Sequence, residues 1–349
     1  MLTSAFATPA PGAPAANSVA PEAAPPAWGP PGPLGSDLAA LSGSAASPRV
    51  GDTTRGADQS QVMGGETNLA LNESVLGPHE SVPAVGPDEL ALGPVVGGPA
   101  RIDDAAPPLV TARHVAIIDE GSGALLYGQN AHTRVPPAST TKIATTLVAL
   151  ERAADLGQLV RVTVSGSRME AADGSSVMGL EPGRQVTLET LLYGMMLPSG
   201  NDAAEQVALA LAGSRERYVD WMNETVAELG LHDTRFANPS GMDDPGHYSS
   251  AYDMAMLARR AMRHPAFRQM AGAAHYYGDD YALTNLNRLI GWYAGADGVK
   301  VGFTDEARKT IVASATRNGH RVYVGLMRSE DLPSDSMSLF DWVWQTYAW

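Results

Sequence analysis

Cysteine is absent from the 349 residues and lysine nearly so, with three lysines among 24 basic residues. The missing thiols exclude disulfides, a cysteine nucleophile and cysteine-ligated zinc together, and leave the redox compartment unmarked. Positive charge is also in deficit. The net charge of −14 argues against nucleic acid as a partner, because phosphate binding needs a clustered basic face. No apolar run approaches the length needed to cross a bilayer. The opening MLTSAFATPAPGAPAA carries neither the basic nor the continuous apolar segment of a secretory signal.

What is present is unevenly distributed. Seventeen of the 25 prolines fall in residues 1–110, together with 11 acids and 3 arginines. Stretches such as APPAWGPPGPLG hold no helical or strand period, and proline at that density removes backbone donors and fixes φ. Residues 1–108 therefore read as a disordered Pro/Ala/Gly-rich acidic tail or stalk, with too few clustered apolar residues to offset the entropy of ordering. Residues 109–349 read as one folded domain, long enough to bury a substantial core.

Within that domain HVAIIDEGSGALLYGQN predicts a hairpin turning at Glu120–Gly123. STTKIATTLVALERAADLG predicts a helix with Ser139 at or near its N-terminus and Gly157 as its stop. VTLETLLYGMMLPSGNDAAEQVALALAG predicts two helices broken at Pro198-Ser199-Gly200, with Asn201 or Asp202 capping the second. YSSAYDMAMLARRAMRHP predicts a helix with Ser250 and Asp253 at capping-box spacing, ended by Pro265. GVKVGFT, KTIVASATR and HRVYVGLM predict strands, the last two joined at Asn318-Gly319, and a terminal helix follows. Strands at both ends with helices between predict an α+β fold: an antiparallel sheet flanked by helices, closed by the first hairpin and carrying an inserted helical lobe.

The scarcity of lysine makes its positions informative. Lysine loses its proton when buried or beside another cation, and arginine in effect does not. Lys142 lies one helical turn from Ser139, which makes it a candidate base for an activated hydroxyl. Three short motifs occur in order: Ser139-Thr140-Thr141-Lys142, Ser199-Gly200-Asn201 and Lys300-Val301-Gly302. Each alone is weak, since Ser199-Gly200-Asn201 also suits an ordinary helix-breaking turn and Lys300 a solvated strand charge. Asp243, Asp244 and His247 lie in a polar loop leading to a helix N-terminus. No metal-ligand spacing occurs among the eight histidines, so neither a metal nor a cofactor is expected.

Taken with PPASTTKIAT, MGLEPGRQVTLETLLYGMMLPSGNDAA, FANPSGMDDPGHYSSAYDMAMLARRA, TNLNRL and GADGVKVGFTDEA, the three motifs resemble the D-alanyl-D-alanine carboxypeptidases, the low-molecular-mass penicillin-binding serine peptidases. The resemblance spans roughly residues 112–330 and implies the penicillin-binding protein and β-lactamase-like transpeptidase fold. It implies that Ser139 attacks the carbonyl between two D-alanines, or a penicillin's lactam, to give an acyl-enzyme. Lys142 is then the base, its pKa pulled down by nearby Lys300, and Ser199 and Asn201 relay a proton and orient the substrate amide. Backbone N–H groups of Ser139 and Phe303 form the oxyanion hole. Lys300, Val301, Gly302, Phe303 and Thr304 line the strand that holds the substrate carboxylate. Implied partners are peptidoglycan stem peptides and covalently inhibiting β-lactams, and the implied location is the cell envelope, outside the cytoplasm.

Two positions depart from the family pattern. Its third motif is Lys-Thr-Gly, and Val301 lacks the threonine hydroxyl, a loss of about 1.5–3 kcal/mol if that group bonded a carboxylate. Arg308 stands where the family has glycine. Val301 leaves open an attenuated peptidoglycan-binding or regulatory protein on the same fold. A β-lactamase is a further alternative, although HDTRFANPSG contains no glutamate to activate a deacylating water.

Overall fold

A computed structural model describes residues 98–349. The expected tail lies outside the described residues up to position 97. Its last part is ordered against the domain: β1 (Ala100–Arg101) pairs with the C-terminal residues, Ile102 N–H donates to Thr346 O, and Trp342 Nε1 donates to Ala105 O at 3.0 Å.

The elements follow in the order β2 (His114–Asp119), β3 (Leu125–Gln129), α1 (Lys142–Arg152), β4 (Leu159–Arg161), α2 (Gly166–Asp173), β5 (Gln185–Thr187), α3 (Leu188–Met196) and α4 (Asn201–Ala212). Then come α5 (Arg215–Glu228), α6 (Ala251–Ala261), α7 (Pro265–Gly272), β6 (His275–Gly278), β7 (Tyr281–Thr284) and α8 (Leu289–Trp292). The chain closes with β8 (Ala296–Thr304), β9 (Arg308–Arg317), β10 (His320–Ser329), α9 (Leu332–Thr346) and β11 (Tyr347–Ala348). The main sheet has the order β3-β2-β10-β9-β8 and is antiparallel throughout. This is the α+β architecture expected of the sequence: the first hairpin pairs with the late strands, and α1–α7 form the lobe between them.

Alternation along the strands sets two cores. In β2 every residue is buried, with Ala116 and Ile118 facing the helical lobe while Val115 and Ile117 join Leu339, Phe340 and Val343 of α9. Helix α1 runs through the middle of the lobe and is buried from Lys142 to Leu150, so a lysine has been carried into the apolar interior with it. Asn318 and Gly319 both hold positive φ, the left-handed pair required by a two-residue hairpin between β9 and β10. Asp297, at the start of β8, accepts from Ser314, Thr316 and Arg321, and Arg321 in turn donates to Glu120 at 2.7 Å, tying the first hairpin to the last three strands.

Three local expectations differ from what is found. Helix α1 stops at Ala153, whose backbone is extended, before Gly157 is reached. The N-cap of α4 is Gly200, with no side-chain cap: Asn201 is the first helical residue, and the Asp202 carboxylate turns back to accept the N–H groups of Met178, Gly179 and Leu180 at 2.8–3.0 Å. Helix α6 ends at Ala261 with Met262 as its C-cap, before Pro265 is reached, and Pro265 instead opens α7, at a first-turn position where proline's missing donor costs nothing. Ser250 caps α6 as expected, accepting from Asp253 N–H.

Helix α6 sits directly on the sheet at Gly325 of β10, where an added Cβ would stand 2.6 Å from the Ala251 carbonyl oxygen. Backbone cannot yield as a side-chain tip does, so Gly325→Ala overpacks the junction by about 1–3 kcal/mol. The expected outcome, checked by thermal unfolding, is a fall in Tm of roughly 3–10 °C.

Candidate active site

The fold brings the three motifs to one place, where the start of α1, the α3–α4 junction and the edge strand β8 meet. Ser139 lies in a 3-10 turn, Ala138–Thr141, that leads straight into α1. The turn is pinned at the Pro137 carbonyl, which accepts from Thr140 Oγ1 at 2.6 Å and from Thr310 Oγ1 of β9 at 3.0 Å. Ala138 has φ +50°, in the left-handed region that costs a non-glycine residue about 1–2 kcal/mol. Ser199, in the facing turn, has φ +66°. Strained backbone on both sides of one site is the kind of feature found where geometry serves function.

Lys142 is fully buried, and its Nζ touches three oxygens: Ser139 Oγ at 2.9 Å, Asn201 Oδ1 at 2.7 Å and the Ser240 carbonyl at 2.6 Å. Burial first, and the Lys300 charge second, hold its pKa well below the ordinary lysine range. Both causes named from the sequence, burial and a neighbouring cation, act here, and desolvation is the larger. A neutral amine has two N–H groups and one lone pair. The Ser240 carbonyl is an acceptor only, and Asn201 presents Oδ1 because its Nδ2 donates to Ser175 Oγ at 3.0 Å. Both N–H groups are thereby taken, and the lone pair is left facing the Ser139 hydroxyl.

Lys300 is likewise buried, 1% exposed, with the Val301 carbonyl as the bonded partner of its Nζ at 3.0 Å. Burial brings its pKa down to about 7. Gly302 packs against the nucleophile turn so closely that a Cβ would lie 2.7 Å from both the Ser139 amide nitrogen and Thr310 Oγ1. Phe303 is 52% exposed at the strand's outer edge. Val301 packs in part on the α9 side of the sheet, as does its cross-strand neighbour Ile311. The Thr304 hydroxyl is engaged within the protein, donating to Asp243 Oδ1 at 2.7 Å and accepting from Ala307 N–H at 3.0 Å, so it is not held open for a ligand. Arg308 adopts φ +59°, the backbone conformation a glycine would take there.

Several contributors escape a reading of motifs. Ser240 acts through its carbonyl, held in a loop that Asn238 organises by accepting from Gly241 N–H at 2.7 Å and donating to Met242 O at 2.9 Å. Ser175, Asp202 and Thr310 position other groups. His247 is no metal ligand: its Nδ1 accepts from Ala237 N–H, which places the proton on Nε2 for donation to Thr141 Oγ1 at 2.8 Å, and burial lowers its pKa to about 4. The Asn-Pro-Ser-Gly run before Met242 is the sequence signal that marks this loop.

A family profile described as D-alanyl-D-alanine carboxypeptidase matches residues 102–330. The chain is 36% identical over 245 residues to D-alanyl-D-alanine carboxypeptidase DacF of Bacillus subtilis, covering 68% of this chain and 63% of that protein. It is 37% identical to DacB2 of Mycobacterium tuberculosis, over 65% of this chain and 80% of that one. With DacA of Escherichia coli the identity is 33%, over 75% of this chain and 66% of that protein. The chain therefore spans somewhat less than two thirds of the length of DacF and DacA. Among solved structures, the Streptomyces K15 DD-transpeptidase superposes with a TM-score of 0.66 at 31% identity, covering 69% of this chain and 100% of that one.

Gly302 offers a direct check on the geometry. In Gly302→Ala the new methyl pushes β8 away from the Ser139 amide, and displacements on the order of 1 Å cost about 100-fold in rate. The expected outcome is a loss of at least that size in the acylation of Ser139 by benzylpenicillin, followed by intact-protein mass spectrometry, with Tm recorded in parallel.

Proposed function

The chain belongs to the D-alanyl-D-alanine carboxypeptidase family, and from that premise we propose that it is a serine-type carboxypeptidase removing the terminal D-alanine from peptidoglycan stem peptides through an acyl-enzyme on Ser139. The observation that carries this reading is the Lys142 amine, buried, low in pKa and fixed by two acceptors with its lone pair on the Ser139 hydroxyl.

In this reading the substrate lies along the free edge of β8. Ser139 Oγ attacks the carbonyl of the penultimate D-alanine while Lys142 takes the hydroxyl proton. The developing oxyanion meets the N–H groups of Ser139 and Phe303. The C–N bond breaks, and the departing D-alanine leaves as an amine with a proton delivered from Lys142 by way of Ser199. Asn201 holds the substrate amide. Water, deprotonated by Lys142, then attacks the ester and releases the shortened peptide. Lys300 is the cation for the terminal carboxylate, a task Val301 cannot share. A β-lactam enters the same path and stops at the acyl-enzyme, because its leaving group stays attached. The substrate implies work outside the cytoplasm, at the cell envelope. No helix among the described residues is long and apolar enough to cross a membrane.

Two outcomes are expected. After incubation with benzylpenicillin the intact mass rises by one adduct that persists, and the Ser139→Ala variant shows none. Rapid turnover of the lactam would instead favour a β-lactamase, and no adduct with no consumption a binding protein. The second outcome concerns pH. Lys300 carries its charge below about 7 and loses it above, so affinity for a carboxylate-terminated substrate weakens as pH rises through that value. Lys142, whose pKa is lowered, does not regain its proton over that rise, so kcat does not decline with it. Steady-state kinetics with a D-Ala-D-Ala peptide between about pH 5.5 and 9 should show KM rising through about pH 7 without a fall in kcat.

A further inference from the structure

Asp243 stands outside the three motifs, yet it joins the two pieces of backbone that bracket Ser139. On one side is the 238–243 loop, whose Ser240 carbonyl accepts from Lys142. Asn238 holds that loop as a unit through Gly241, Met242 and the Ser240 hydroxyl. The loop also lies hard against the nucleophile turn, since a Cβ at Gly241, φ +91°, would collide with the Ala138 carbonyl. On the other side is the end of β8, where Gly302 abuts the Ser139 amide. Asp243 Oδ1 accepts from Thr304 Oγ1 at 2.7 Å and its Oδ2 from Glu306 N–H at 3.4 Å. The Thr304 hydroxyl is aimed by the Ala307 N–H it accepts.

These contacts close a ring: from Ser139 to Lys142, to Ser240, along the loop to Asp243, across to Thr304, and back through Phe303 and Gly302 to the Ser139 amide. We propose that Asp243 is a positioning residue for acylation, setting through Thr304 the spacing between the carbonyl that orients the Lys142 lone pair and the Phe303 N–H that receives the oxyanion. The inference rests on the assignment of Lys142 as base. Breaking the bridge frees the exposed end of the ring while leaving both lysines and the nucleophile in place. Its effect therefore falls on the chemical step and not on the encounter with the ligand.

Stopped-flow acylation by a chromogenic β-lactam separates the dissociation constant of the first complex from the acylation rate constant. Asp243→Ala and Thr304→Val are each expected to lower the rate constant roughly tenfold and to move the dissociation constant less than about twofold. The double variant should be no slower than either single one, and Asp243→Asn, which keeps an acceptor for Thr304, should recover part of the rate. Wild-type rates in Asp243→Ala, additive losses in the double variant, or a loss confined to the dissociation constant each overturn the proposal. Should Asp243→Ala fail to fold, Thr304→Val removes the same bond with a near-isosteric side chain and decides alone. A wild-type protein that forms no adduct at all is a different failure, that of the peptidase reading, and takes the bridge with it.

Discussion

A lysine carried wholly into the protein interior, with no carboxylate among the described residues bonded to it, is the arrangement on which the rest of the site depends. Buried ammonium groups are normally paired, and a carboxylate beside Lys142 would return its pKa to the ordinary range and leave it useless as a base. The bonds to Lys142 are instead to neutral oxygens, from a hydroxyl, an amide and a peptide carbonyl. Asp202 and Glu205 favour its charge only from a distance, and Lys300 opposes it. The carboxylate next to Asn201 in the chain, Asp202, is turned away to accept from the backbone N–H groups of Met178, Gly179 and Leu180. Keeping Asp202 engaged elsewhere is as much part of the site as the motif residues themselves.

That requirement explains features that look unrelated. Helix α1 must be buried on every side, because one exposed face at its N-terminus would rehydrate the amine. The loop through Ser240 and the segment through Ser175 and Ser176 close over it, the latter accepting from Asn201 N–H at 2.7 Å. The proposed nucleophile, by contrast, must reach solvent, and Ser139 is half-buried one turn away. The 3-10 turn achieves the separation: it lets the chain enter the helix with Ser139 at the surface and Lys142 beneath it. The strained φ at Ala138 follows from fitting that turn between Gly241 and Gly302, each lacking a Cβ where one would collide with it.

Much of this was legible in the sequence, for identifiable reasons. Turn chemistry at Asn318-Gly319 and apolar alternation gave the sheet, and the rarity of lysine singled out Lys142 and Lys300 before any fold was known. What remained hidden acts through backbone or across long sequence separations. Ser240 contributes a carbonyl, which every residue possesses, so no residue type marks it. Asp202 sits where a helix cap is expected, and propensity cannot distinguish a cap from an anchor for Met178–Leu180. The extent of burial at Lys142 is hidden for the same reason: the helical spacing of Ile143, Leu147 and Leu150 marks one apolar face, whereas α1 is enclosed on all of them from Lys142 to Leu150. Residues 98–108 read as tail because their partners, Thr346 and Trp342, lie at the other end of the chain.

Val301 carries no polar atom on its side chain, and the two cores show why the valine is stable there. Lys300 and Gly302 pair with Val312 and Thr310 on the lobe side, while Val301 pairs with Ile311 and rests on the apolar cluster beneath α9. A β-branched apolar residue suits that half-buried position better than a hydroxyl without a fixed partner. The consequence falls on Lys300. Of the five strand residues from Lys300 to Thr304 it is the one with a charge, Val301 and Phe303 offer no polar side-chain atom, and the Thr304 hydroxyl is turned to Asp243. On the proposed reading, carboxylate binding on this edge falls to a single ammonium whose pKa burial has brought near neutrality.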